Sequence, residues 1–282
     1  MLLTRPEGTE PADLHLTRRA AVGSLFFAGY AVAALAAEAQ PIATPADGLI
    51  IEEALIPNGA DKPLPAYVAR PAKAGRHPVV IVVNEIFGVH DYIKDICRRF
   101  AKLGYVAVAP EFFYRSGVNL PALTDFKEII KVVSQASVDQ VDGDVKATSA
   151  WIKAQKFANG AKIGITGFCW GGAVVWRAAM VDPDIKAGVA WYGQLKPLIA
   201  RAGELKAPVL GLYGGKDTGI PPADVEAMQA ALKAAGKTGS SIQLYPDAPH
   251  GFHADYRASY VKADAEDGWR RLLAHFKANG VA

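Results

Sequence analysis

A thiol becomes a nucleophile when the backbone presents it at a corner and a base stands beside it. Cys169 has the surroundings for the first condition. Lys162-Ile163-Gly164-Ile165-Thr166 reads as a short buried strand, Gly167-Phe168-Cys169-Trp170-Gly171-Gly172 as a sharp turn, and 173–180 as a helix. In such a Gly-x-Cys-x-Gly turn the glycines let strand and helix approach closely, and the central residue projects its side chain from a strained backbone. The start of the helix favours a thiolate at that point. A cysteine simply buried in a glycine-rich turn is the plain alternative. Cys97, beside Ile96 in a helical stretch, is read that way.

The acid and base are expected later in the chain, in the order nucleophile, acid, histidine. His250, in Pro249-His250-Gly251-Phe252, follows a strand and a loop. His253 competes with it as a wall or surface residue, and His275 falls in the last helix. An apolar run over 209–213 leads into Gly214-Gly215-Lys216-Asp217, which puts Asp217 just past a strand. Its alternative is an ordinary turn aspartate. Asp224 reads as a helix-start residue and Asp247 as a loop carboxylate. In this trio His250 takes the thiol proton, Asp217 holds the imidazole tautomer, and Cys169 attacks a carbonyl. Two backbone N–H groups must hold the oxyanion: that of Trp170, and one from the loop Asn84-Glu85-Ile86-Phe87-Gly88.

Unalternated apolar runs over 79–83, 105–109, 162–166, 187–192, 209–213 and 241–245 predict buried strands. Between them, 91–103, 138–157, 171–180, 224–235 and 260–277 suit helices. Alternating strands and helices predict an α/β domain with a mostly parallel sheet covered on both faces. Residues 52–70 predict an antiparallel edge hairpin, and 111–137 a variable excursion where active-site loops leave the sheet.

The chain of 282 residues is 51% apolar and 21% charged, which excludes a long disordered chain. Its 31 Lys and Arg against 28 Asp and Glu leave a net charge of +3, too scattered for a nucleic-acid footprint. Two cysteines make neither a disulfide framework nor a zinc site. Residues 1–39 read as an export signal: Leu16-Thr17-Arg18-Arg19, an uncharged stretch from Ala20 to Ala37, then the small-x-small Ala37-Glu38-Ala39. The paired arginines are similar to a bacterial twin-arginine signal, with the general secretory (Sec) machinery as the other route. An uncleaved membrane anchor is the alternative. Residues 40–282 are then one periplasmic or secreted domain, with no stable membrane insertion after cleavage.

Together and in chain order, residues 84–88, 167–172, 214–217 and 249–252 resemble the dienelactone hydrolase family, within the α/β-hydrolase fold. The resemblance implies Cys169 as nucleophile, Asp217 as acid, His250 as base, and the amides of Ile86 and Trp170 as oxyanion hole. It also implies that Glu85 keeps the resting Cys169 protonated, since a neighbouring carboxylate raises the cost of a thiolate. Arg115 matches one arginine that would hold a substrate carboxylate, with Tyr114 and Phe252 lining the same cleft. The position of a second arginine holds Ala254, and Arg257 lies three residues further on. The expected substrate is a small, anionic ester or lactone, with no cofactor or metal and a monomeric chain. A broader esterase or thioesterase, and a non-catalytic periplasmic binding protein of the same fold, are the rival readings.

Overall fold

The computed structural model describes residues 41–282; the leader expected over 1–39 lies outside them. Eight strands form one sheet: β1 (Leu49–Ile56), β2 (Leu64–Pro71), β3 (His77–Val83), β4 (Val106–Pro110), β5 (Ala158–Phe168), β6 (Ile185–Trp191), β7 (Val209–Gly214) and β8 (Ser241–Tyr245). Their spatial order is β1-β2-β4-β3-β5-β6-β7-β8. β2 runs antiparallel to β1 and β4, and every other neighbouring pair is parallel. The expected edge hairpin is β1 and β2.

The last five residues of β3, a run of Val and Ile, are all buried. A strand with no polar face needs cover on both sides. The helices are α1 (Asp91–Lys102), α2 (Phe126–Val133), α3 (Val138–Ala154), α4 (Trp170–Val181), α5 (Pro222–Ala234) and α6 (Lys262–Ala278). α1 meets α6 on one face, where the Phe100 ring packs 4.8 Å from Trp269 and 6.4 Å from Phe276. α3 and α4 pack against β5 on the other face.

Two differences from the sequence expectation have a clear physical reason. α3 stops at Ala154 because Phe157 is drawn toward the sheet: its carbonyl accepts from His77 N–H at 2.9 Å. β5 then begins at Ala158, through polar residues that carry no strand signal. The 111–137 excursion also contains α2, whose start Asp125 caps by accepting from Lys127 N–H at 2.8 Å. A helix of eight residues is too short to announce itself by periodicity.

β3, β5, β6, β7 and β8 all end at the same edge of the sheet. The residues just past those ends are Asn84 to Ile86, Cys169, Tyr192, Asp217 and His250. After β3 the chain adds β4 on one side and β5 on the other. That reversal opens the crevice in which open α/β sheets bind their ligands.

Candidate active site

Cys169 joins β5 to α4 with φ 58° and ψ −118°. Such a backbone costs about 1–3 kcal/mol for a residue with a Cβ. The surrounding glycines make the corner possible. A Cβ on Gly167 would stand 2.4 Å from the carbonyl oxygen of Gly171. One on Gly171 would stand 2.6 Å from the carbonyl oxygens of both Val83 and Asn84. The corner is thus pressed directly against the end of β3 and the start of the loop that carries Glu85 and Ile86. Cys169 N–H donates to the Trp191 carbonyl at 3.0 Å, tying the corner to β6 as well.

The structure brings Cys169, His250 and Asp217 into one line. His250 Nδ1–H donates to Asp217 Oδ2 at 2.7 Å. A second hydrogen bond joins the imidazole to the Cys169 side chain, and with Nδ1 occupied it falls to Nε2. The other Asp217 oxygen, Oδ1, accepts from the backbone of Gly219 (2.8 Å) and Ile220 (3.1 Å), which fixes the carboxylate's orientation. Gly215 N–H donates to Tyr245 O (2.7 Å) and Lys216 N–H to Ala248 O (3.0 Å), stitching the acid's loop to the histidine's. All three residues are buried. Burial disfavours the imidazolium of His250, but the charges of Cys169 and Asp217 outweigh it and raise its pKa to about 10. The imidazole beside the Cys169 side chain therefore favours its protonated form.

Glu85 is fully buried next to this line. Burial alone would raise its pKa, but Arg257, His90 and Tyr256 outweigh that and lower it to about 2. Arg257 Nη2 lies 3.0 Å from Glu85 Oε1, Tyr256 Oη donates to Oε2 at 2.7 Å, and His90 Nε2 stands 3.4 Å away. The carboxylate that the resemblance assigned to restraining Cys169 thus has its charge balanced by a buried guanidinium. The guanidinium of Arg257 also lies over the rings of Phe87 (5.0 Å) and Tyr256 (5.2 Å).

Among the buried polar atoms here, Asn84 Oδ1 and Tyr192 Oη have no hydrogen-bond partner among the described residues, while Glu85 Oε1, Arg257 Nη2 and His90 Nε2 meet in ion pairs. Unsatisfied buried groups are rare in folded interiors and are found where a ligand binds. A pocket of about 330 Å³ opens beside them. Phe87, His90, Tyr256 and Arg257 form its inner wall; Leu120, Pro121, Leu123 and Phe126 of the excursion form its outer one.

Three expected cleft residues lie elsewhere. Arg115 donates from Nη1 and Nη2 to Asp144 (both 2.7 Å) and from Nε to Asp61 (2.5 Å), so its fork is already filled by carboxylates. Tyr114 Oη donates to Lys62 O at 2.9 Å, and its ring lies under the Arg115 guanidinium. The carboxylate-holding role expected of Arg115 and the cleft-lining role expected of Tyr114 are corrected accordingly: Arg115 ties the β4 excursion to α3, and Tyr114 ties it to the connection between β1 and β2. Phe252 is fully buried against Tyr245 (5.1 Å), Tyr192 (5.4 Å) and Trp191 (5.9 Å), and it supports the His250 loop from beneath instead of lining a cleft. Arg115→Ala is expected to leave turnover of neutral esters unchanged and to cost roughly 2–4 kcal/mol of stability. It strands the buried Asp144 without its partner. Urea unfolding beside a steady-state assay checks both halves.

Trp170 opens α4, so its N–H is one of the helix's unshared donors. Ile86 is buried in the loop that Gly171 abuts. His253 is not a second base. Its Nδ1 is 2.6 Å from Tyr92 Oη, and burial, aided by Arg99, lowers its pKa to about 3. Among the described residues, no group of His, Cys, Asp and Glu could hold a metal ion. No described helix is long and apolar enough to cross a membrane.

Tyr256, His90 and Tyr192 escaped the sequence reading. Tyr256 and His90 had a signal, as polar neighbours of Arg257 and of the Glu85 loop. Tyr192 had none, since its backbone conformation cannot be read from its type.

The family model for the dienelactone hydrolase family matches residues 64–280. A Methylorubrum extorquens protein bearing the name carboxymethylenebutenolidase is 48% identical over 96% of each chain. A Bradyrhizobium protein named as a 2-oxo-3-(5-oxofuran-2-ylidene)propanoate lactonase is 31% identical over 75% of this chain and 88% of its own. A crystal structure of a dienelactone hydrolase-type protein from Klebsiella pneumoniae superposes with a TM-score of 0.77 at 44% identity, covering 82% of this chain and 99% of that one.

Proposed function

Because the chain belongs to the dienelactone hydrolase family, we propose that it hydrolyses an ester or lactone bond of a small anionic substrate through a cysteine acyl-enzyme. The observation that carries this reading is the unbroken line from the Cys169 side chain through His250 to Asp217. The names of the relatives, a carboxymethylenebutenolidase and a lactonase, support the substrate class.

In this mechanism Cys169 sulfur forms a bond to the substrate's carbonyl carbon as His250 holds the thiol proton. The amides of Trp170 and Ile86 hold the oxyanion. The carbonyl carbon then releases its ring or alkyl oxygen, which takes the proton from His250. Water, deprotonated by His250, attacks the acyl carbon and frees the thiol. The anion's partner in this reading is Arg257 in place of Arg115, because Arg257 stands in the wall of the pocket next to Glu85, and its charge interacts with Cys169. Glu85 sets the resting charge around Cys169, with Arg257 as its counterweight.

The same proposal extends to location. Arg18-Arg19, the uncharged stretch after them and the small-x-small end support export by the twin-arginine or Sec machinery. The mature protein is then a monomer in the periplasm or outside the cell, and the leader is removed.

The test is a panel of matched lactone, linear ester and thioester, each in a carboxylate-bearing and a neutral form. Failure to open any of them would overturn the reading, and a loss of lactone preference would turn it toward a broad esterase. Arg257→Lys keeps a cation beside Glu85 but loses the planar fork. It is expected to raise KM for the anionic member about tenfold and leave the neutral one unchanged. Equal shifts for the two would exclude Arg257 as the anion's partner.

A further inference from the structure

Tyr192, the residue that follows β6, carries two costs that no structural bond explains. Among the described residues only Cys169 and Tyr192 have positive φ without being glycine, at 58° and 39°. The Tyr192 ring is fully buried, edge-on to His250 at 5.1 Å and to Phe252 at 5.4 Å. Yet its hydroxyl has no hydrogen-bond partner among the described residues. Backbone strain and unsatisfied buried donors persist in folded chains chiefly where they serve a site.

The backbone explains how the ring is held. Tyr192 N–H donates to Leu212 O at 2.8 Å, and the carbonyl just before it, that of Trp191, accepts Cys169 N–H at 3.0 Å. One peptide group therefore links the tyrosine to the nucleophile's corner. Aromatic neighbours close the flanks of the ring. The charges of Glu85, Arg257 and Cys169 are felt at the Tyr192 hydroxyl, which is buried without a hydrogen-bond partner among the described residues, beside the His250 ring.

The groups around a carbonyl carbon attacked by Cys169 already divide most of the work. The oxyanion goes to the amides of Trp170 and Ile86. The departing oxygen goes to His250, whose ring the tyrosine braces. What remains is the acyl substituent, on the side of Arg257. We propose that Tyr192 is a further substrate-contacting residue whose O–H donates to an oxygen carried by the acyl group, beside the Arg257 guanidinium. The inference rests on the ester and lactone reading above and sharpens it. The preferred acyl groups are those of dicarboxylic or oxo acids, with a second oxygen function close to the scissile carbonyl.

Tyr192→Phe preserves the ring packing and removes only the donor. With 4-nitrophenyl hydrogen succinate, KM is expected to rise about tenfold with kcat unchanged. With 4-nitrophenyl butyrate, of the same length but neutral, neither constant moves. Equal losses on both esters, or no loss on either, would overturn the proposal. A second measurement needs no turnover: succinate is titrated calorimetrically into Cys169→Ala protein with and without Tyr192→Phe. The tyrosine variant is expected to bind about tenfold more weakly; equal affinity, or no binding to either, overturns the proposal. A wild-type protein that binds succinate in a Tyr192-dependent way but cleaves no ester would remove the hydrolase reading and leave this one standing.

Discussion

Cys169→Ala is expected to lower kcat/KM on any ester or lactone substrate by a factor on the order of 10⁵ or more, as loss of a nucleophile does where acid and base act only through it. Stability is expected to move by no more than about 1 kcal/mol, because the substitution leaves the Cβ in place and removes one small buried atom. Mass spectrometry gives the sharper test. When a lactone opens on Cys169 the departing alcohol stays tethered to the acyl group, so an acid-quenched reaction should carry the whole mass of the lactone on that residue. A linear ester should leave only its acyl portion. The alanine variant should carry neither. Retained turnover with no change in rate would sink the cysteine mechanism outright, whatever the fate of the substrate assignment.

Asp217→Asn is expected to cost about 10⁴ in kcat with the fold intact. The backbone donors decide the sign. Gly219 and Ile220 N–H both point at Oδ1, so the asparagine's carbonyl oxygen must take that place. Its NH₂ then faces His250 Nδ1, where the carboxylate oxygen stood at 2.7 Å. Two donors cannot share a hydrogen bond, so Nδ1 gives up its proton and Nε2 carries it. An imidazole protonated at Nε2 cannot accept from the thiol of Cys169. The charge that helps raise the His250 pKa to about 10 is lost as well. The expected observation is a loss of turnover alongside unchanged succinate affinity. A variant with near-normal kcat would show that His250 does not need its acid.

The relay was legible in the sequence because each part sits in a local pattern. Cys169 lies in a glycine corner between a strand and a helix, and Asp217 and His250 follow short apolar strands that parallel pairing must bring side by side. The parallel sheet was legible for the same reason, since Val79 to Val83 cannot hide its side chains on one face alone. The partners of the charged residues were not. Arg115 is matched by Asp144, from a helix that a linear reading has no cause to bring beneath it. Arg257 shares its carboxylate with His90 and Tyr256, which come from separate segments. Phe252 lies two residues after His250, but its ring turns inward to the core, and nothing in its type distinguishes the two directions.

The outer wall of the pocket is contributed by Leu120, Pro121, Leu123 and Phe126, a stretch that supplies none of the relay. The residues of the proposed relay and those that form the pocket's outer wall therefore belong to different parts of the chain. Natural variation can exchange the second set, by substitution or by a change of length, without disturbing the first. One inherited reaction centre can in this way be refitted to new substrates.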